Sequence, residues 1–508
     1  MTRRNEYKND CKLSGKFSLR RSQKYYEVPA GELILRVQCY NEKHQSIYHD
    51  VHFFLPAPKP AQEQQQQADR LSVMILGIDS LAHMNFLRMM PQTAAYIKQL
   101  PHVEFWGYNR VGLNSFPNLT PLLLGQSDEE VERGCYANKT SFDHCPLLWQ
   151  QFKAAGYNTS FAEDSYYIGT FNYLKSGFRQ QPTDFYLRPV LHEMHYESGQ
   201  SMGKFRCTGN RKFAQVLHEF AYKLTPHLLA APHFSFFWET EGVHDYFNYP
   251  KLRDADYRRL LQHLNGTQVL QRTLLLLMAD HGLRFGRYRN TYQGMQEENQ
   301  PLLIALYPSW LDAAFPLAMS HLRSNAHSLV TTFDLHVTLK DILLLPLLGD
   351  RHVAARADAL SKLDSQLPRG ISLFLPIPQQ RDCQTAGILS EYCSCHKLSS
   401  MASADPRAQR AAQYMVKSIN KLISNEPLCQ RLRLQRLEVA YLYDSANNQR
   451  EFEVKVRLFT RPGGGQFEGT TRFLDNTLAL NGDIQRTNKY GNQSYCIQNY
   501  HIEMYCYC

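Results

Sequence analysis

Two carboxylates and an imidazole stand directly after apolar runs in this 508-residue chain, at places where β-strands would end. Leu71–Ile78 runs into Asp79, and Leu274–Ala279 runs into Asp280-His281-Gly282. A third run, Phe234–Trp238, continues into Glu239-Thr240-Glu241-Gly242-Val243-His244-Asp245. In open α/β sheets ligands gather beyond the carboxyl ends of the strands, so Asp79, Asp280, His281 and His244 are candidate ligands for a divalent cation. These donor types fit zinc, manganese or calcium and do not choose among them.

A nucleophile is available in the segment Gly112–Gly125, which contains Asn114 and Ser115 just ahead of Pro117. The spacing predicts a short helix starting near Ser115, where unpaired N–H groups and the helix dipole favour an incoming anion. A cation on Asp79 would lower the pKa of the Ser115 hydroxyl. Each feature alone has a plainer reading. An Asp after a strand is a common turn former, and Ser115 or Asn114 could be an N-cap and nothing else. Their joint occurrence carries the chemical reading.

The elements that must position these groups follow the rhythm of an α/β sheet. Strands are expected over Leu71–Ile78, Tyr157–Ala162, His233–Trp238, Leu274–Ala279 and Leu302–Leu306, with helices over Pro146–Ala155, Lys212–Leu224, Leu252–Leu264 and Val330–Leu344. A β-rich leader and a Pro- and Gln-rich linker (residues 1–68) precede this domain (69–380), and a small Cys-rich, β-containing domain (381–508) follows it. In that last part Leu432–Tyr443 and Arg450–Phe459 alternate like paired strands, with Pro462–Gly465 as a turn.

With 43% hydrophobic and 20% charged residues, the chain is neither disordered nor fibrous. A net charge of +9 without any block of five or six like charges argues against dedicated nucleic-acid binding. Twelve cysteines, clustered toward the C-terminal end, suit disulfides in an oxidising compartment. The one-residue gaps in Cys393-Ser394-Cys395 and Cys506-Tyr507-Cys508 fit zinc knuckles poorly. Asn-x-Ser/Thr sequons at Asn118, Asn138, Asn158, Asn265 and Asn492 agree with a secretory lumen or extracellular location. The first residues carry no apolar targeting region and no apolar run is long enough to span a membrane. The expectation is therefore that a targeting segment lies upstream of this chain.

Asp79, then Asn114-Ser115-Phe116-Pro117-Asn118, then His244 and Asp280-His281-Gly282 follow the order of the alkaline phosphatase and sulfatase superfamily. Within it the chain resembles a sulfatase-like family of unknown function, with further matches at Met90–Thr93, Gly156–Asp164, Glu297–Pro301, Gly370–Phe374 and the cysteines from Cys383 to Cys395. The resemblance implies an alkaline-phosphatase-like sheet sandwiched between helices. It also implies one metal held by Asp79, Asp280 and His281, beside Ser115. The second metal of that superfamily is less well provided for. His244 is present, but Thr240 stands where an Asp is expected and Gln293 is the nearest substitute for a last His, with Glu239, Glu241 and Asp245 as nearby candidates to compensate. Leu119 replaces the arginine of the motif that sulfatases convert to formylglycine, so an unmodified Ser115 would be the nucleophile, with Asn114 or Asn118 donating to a non-bridging oxygen. The expected activity is hydrolysis or transfer of a phosphate or sulfate ester, carried on a glycan or a lipid. The alternative is a pseudoenzyme that binds a glycan, an anion or a protein partner without turnover.

Overall fold

The computed structural model describes residues 25–29, 31–58, 70–197, 207–363, 366–443, 451–475 and 477–508. Cys11 and the Gln-rich part of the expected linker lie outside the described residues. The leader forms a hairpin of β1 (Ile34–Tyr40) and β2 (Ser46–Phe53). Lys223 Nζ donates to Phe53 O at 2.6 Å and Arg211 Nη2 pairs with Asp50 at 2.6 Å, which ties this hairpin to the main body.

The main body is built on β3 (Ser72–Ile78), β4 (His102–Glu104), β5 (Asn158–Glu163), β6 (Phe185–Tyr186), β9 (His233–Glu239), β10 (Thr273–Met278) and β11 (Leu303–Leu306), with a small ribbon of β7 (Cys207–Thr208) and β8 (Arg211–Lys212) beside it. Its seven strands lie in the order β4-β11-β10-β3-β9-β5-β6, and only β11 runs against its neighbours. Along β3, Val73 and Ile75 enter one hydrophobic core while Met74, Leu76 and Ile78 enter the other. Helices cover both faces of the sheet, which is why the strand reads as one unbroken apolar run instead of an alternating one. Gly77 is fixed by packing: a Cβ there would come within 1.8 Å of the ring of Trp238, its cross-strand neighbour on β9.

The C-terminal part is an antiparallel sheet of β12 (Leu398–Met401), β13 (Arg433–Tyr443), β14 (Glu451–Arg461), β15 (Gln466–Leu474) and β16 (Thr477–Arg486). A helix over Pro406–Leu422 packs on it, a feature the strand-based reading of this region passed over. Its signals are nonetheless ordinary ones: Asp405 accepts from Arg407 N–H at 2.8 Å as an N-cap, Pro406 follows at N1, and Ala408, Ala411, Ala412, Met415, Val416 and Ile419 form one buried stripe. Val111, Leu113 and Phe333 of the main body join the same core.

Buried charges also cross between the two sheets. Glu468 on β15 receives both terminal nitrogens of Arg289, at 2.7 and 3.0 Å, and Lys455 at 2.9 Å; Arg289 also holds Glu298 at 2.6 Å. Burial works against the charge of Glu468, but these cations outweigh it and hold its carboxyl well below the usual range. Glu391 is the opposite case. Burial lifts its carboxyl to about 7; Oε1 accepts from Asp483 N–H at 2.8 Å and Oε2 has no partner.

Among the described residues four disulfides form, Cys135–Cys145, Cys383–Cys393, Cys429–Cys506 and Cys496–Cys508, while Cys39, Cys207 and Cys395 are free. Of the sequons, Asn138, Asn265 and Asn492 are exposed, whereas Asn118 is fully buried. No described helix is long and apolar enough to cross a membrane.

Non-reducing peptide mapping is expected to recover these four bridges; free thiols at Cys429 and Cys496 would contradict the pairing. Because Glu391 binds its proton more tightly folded than unfolded, its contribution is fully present below about pH 4.5 and is lost as pH rises toward 7, by at most ~3 kcal/mol. Urea unfolding across that window should show stability falling less steeply in Glu391→Gln than in the wild type. Parallel curves would rule out this titration.

Candidate functional site

The register of the sheet brings the two carboxylates together. Gly77 on β3 pairs with Met278 on the parallel β10, so two residues further on Asp79 stands beside Asp280, and His281 follows. Ligand atoms of Asp79, Asp280 and His281 all lie within 4.8 Å of one another, and all three residues are buried. The turn after β3 is held by the acids themselves: Ser80 adopts a φ of 61°, with its N–H donating to Asp280 Oδ1 at 3.1 Å and its hydroxyl to Asp79 Oδ1 at 2.9 Å. Gly282 is required because a Cβ would meet the carbonyl of Glu297 at 2.3 Å.

The electrostatics of this trio are those of a cation site. Burial first, and then the charge of Asp280, push the Asp79 carboxyl up to about 7. Burial pushes the His281 imidazole down to about 4, so the ring is neutral at pH 7. Its Nδ1–H donates to Gly282 O at 2.9 Å, since a carbonyl can only accept. The lone pair of Nε2 therefore faces Asp280 Oδ2 at 3.4 Å, and Oδ2 has no hydrogen-bond donor. Two buried lone pairs directed at each other are unfavourable until a cation lies between them. The donor set thus fits a divalent metal.

The nucleophile candidate is at the same place. The helix Ser115–Leu124 begins with Ser115, whose hydroxyl donates to Asp79 Oδ2 at 3.3 Å. Asn114 occupies the N-cap position, but its side chain makes no capping bond. Its Nδ2 donates to Tyr500 OH at 3.1 Å and its Oδ1 accepts from Arg284 Nη1. The plain capping reading of Asn114 is therefore excluded. Asn118 does not reach the pocket: its Oδ1 accepts from Val111 and Gly112 N–H, and its Nδ2 donates to Gly112 O and Asn114 O. It shapes the loop before Ser115 and has no free donor for a substrate oxygen, which corrects the expectation placed on it.

These groups open into a pocket of about 150 Å³ whose lining includes His244, Thr240 and Arg284. His244 lies on the wall but outside the trio, with Nδ1 at 3.5 Å from Asp245. Burial opposes its charge, but Asp79 and Asp245 outweigh it and raise its pKa. The residues expected to complete a second metal site lie outside the pocket lining and bond elsewhere, although Oε2 of Glu239 is left without a hydrogen bond. Gln293 bonds Glu297 at 2.9 Å away from the pocket lining, Glu239 is paired with Arg253 at 2.8 Å, Glu241 accepts from Ser165 at 3.0 Å, and Asp245 is paired with Lys489. The other wall comes from the far end of the chain, where Arg486, Tyr490, Tyr500, Glu503 and Met504 face the cavity. No motif near Ser115 announced these residues.

A family model described as "Protein of unknown function (DUF229)" matches residues 1–438. The chain belongs to this family. No curated protein sequence matches this DUF229 chain. Solved structures similar to it include a protein in the alkaline phosphatase superfamily from Vibrio parahaemolyticus, 11% identical over 82% of this chain and 83% of that one, with a TM-score of 0.40. The phosphonate monoester hydrolase SpPMH from Silicibacter pomeroyi is 13% identical over 77% and 88%, at 0.42. The lipoteichoic acid synthase LtaP from Listeria monocytogenes is 9% identical over 47% and 66%, at 0.35.

Metal analysis of the purified DUF229 protein after loading and desalting should find a divalent ion in the wild type and less than about half as much in Asp280→Asn. Equal occupancy in both would remove Asp280 from the ligand set.

Proposed function

We propose that this protein is a metal-dependent hydrolase or transferase of a phosphate or sulfate ester, with Ser115 as nucleophile. The observation that carries the reading is the Ser115 hydroxyl, 3.3 Å from Asp79, within a buried Asp79–Asp280–His281 trio that lacks a hydrogen-bond donor on one carboxylate oxygen. Asp79, Asp280 and His281 would hold the ion. When bound, a divalent cation supplies charge stabilisation to the transferred group and favours the alkoxide form of a neighbouring hydroxyl. Ser115 Oγ gives up its proton to solvent and attacks the phosphorus or sulfur, a new ester forms on the serine, and the bond to the alcohol breaks. Water or a second alcohol then releases the group from Ser115. His244, beside Asp245 on the pocket wall, is a pocket group able to give a proton to the departing oxygen.

The solved structures named above include a phosphonate monoester hydrolase and a lipoteichoic acid synthase, chemistry of the same general kind. A glycan or lipid ester is the class of substrate proposed. Four disulfides fit a secretory or extracellular setting for this activity. The engaged state of Glu239, Asp245 and Gln293 favours one metal over two, and it is also what a non-catalytic anion-binding relative would show.

Turnover of p-nitrophenyl phosphate, p-nitrophenyl sulfate and bis-p-nitrophenyl phosphate by the metal-loaded protein separates these readings. Ser115→Ala is expected to lower the rate by at least about 100-fold while keeping its metal. A rate in Ser115→Ala equal to the wild type refutes the nucleophile. Anion binding without any turnover by the wild type supports the non-catalytic reading.

A further inference from the structure

Arg284 is a cation placed where the protein's own groups leave it uncompensated. It is only 9% exposed, and no Asp or Glu lies within ion-pair distance of it among the described residues. Glu298, whose charge reaches it, is already shared by Arg110 at 2.9 Å and Arg289 at 2.6 Å. A guanidinium has five N–H donors. Here one is used, by Nη1 on Asn114 Oδ1, and the buried Nε has no partner. Arg486, the other arginine on the pocket wall, is a useful contrast. All three of its nitrogens donate, to Asn488, Met504 O and Gln493, so it serves the framework.

A buried guanidinium with no carboxylate partner, lying over the ring of Phe285 at 5.3 Å, is unfavourable unless a counter-charge arrives. Its direction is fixed by the residue next to Ser115. Asn114 orients Arg284 with its carbonyl oxygen and is itself held by Tyr500. Arg284, Ser115, Asp79 and His281 all line the one pocket. Of the groups expected at a second metal site, Gln293, Glu241 and Asp245 are bonded elsewhere and only His244 offers an unbonded ring nitrogen to the pocket wall, so a guanidinium supplies positive charge where a second ion lacks ligands.

We infer that Arg284 is the anion-binding residue of this site, taking the non-bridging oxygens of a tetrahedral phosphate or sulfate group in the place where a second metal ion would otherwise act. This rests on the proposed Ser115 site, and it adds that anion affinity resides in the guanidinium. Planar, paired N–H donors suit two oxygens of one tetrahedral group.

The test is calorimetric titration of the metal-loaded protein with inorganic phosphate, and separately with inorganic sulfate, together with melting temperatures in the presence and absence of the anion. The wild type is expected to bind at least one of the two, Arg284→Met to bind it roughly 10- to 100-fold more weakly, and Arg284→Lys to fall between them, all at equal metal content. Without anion, Arg284→Met should melt at or above the wild-type temperature, because the uncompensated charge is gone; a purely structural arginine would give a lower one. The anion should then raise the melting temperature of the wild type and not that of Arg284→Met. Absence of binding by the wild type, or affinity in Arg284→Met within about threefold of it, overturns the inference. Failure of the nucleophile is read from turnover surviving Ser115→Ala, whereas failure of the anion site is read from binding surviving Arg284→Met, so the two are told apart.

Discussion

Like charges in a low-dielectric place repel strongly, and this fold forces two carboxylates into one. Asp79 and Asp280 are neighbours because β3 and β10 are parallel, adjacent and in fixed register; neither side chain can leave without shifting a strand that is packed on both faces. The surrounding groups can be understood as responses to that constraint. Ser80 takes a left-handed backbone conformation to give its N–H and hydroxyl to the two acids. His281 turns its proton to Gly282 and its lone pair toward Asp280. Ser115 offers a hydroxyl to the remaining oxygen of Asp79. What these groups leave unsatisfied, Asp280 Oδ2, is the measure of what a bound cation would contribute.

The pocket is asymmetric in its construction. Its acidic floor belongs to the strand ends of the main body, while much of its wall belongs to residues 486–504, more than two hundred positions away from Asp280. The two are joined by specific bonds: Asn114 to Tyr500, Tyr173 to Glu503, and His501 to Glu132. Further back, the buried Arg289–Glu468 pair makes a strong link between the sheets, since leaving either charge alone would be costly. The position of the wall is thus determined by the same network that packs the C-terminal sheet against the main body.

Much of this was legible in the residues, for definite reasons. Strands buried on both faces are long apolar runs, so β3, β9, β10 and β11 could be found by composition alone, and an acid at the end of such a run has few other places to go than the sheet edge. What failed did so where a side chain's type does not reveal its partner. Asn118 looks like a donor to a substrate, yet both its amide faces are used within its own loop. Asn114 sits at an N-cap position and bonds elsewhere. Arg284 is one arginine among many in sequence, and only its place on the pocket wall with an unpartnered Nε distinguishes it. The helix Pro406–Leu422 did carry a start signal and an apolar stripe; it was obscured by the stronger alternation of the strands after it.

The bridges Cys429–Cys506 and Cys496–Cys508 bracket the segment that supplies Tyr500, Glu503 and Met504 to the cavity. The two halves of the pocket therefore differ in what a reductant can reach: the acids are held together by the pairing of parallel strands that contain no cysteine, whereas the wall also depends on two crosslinks.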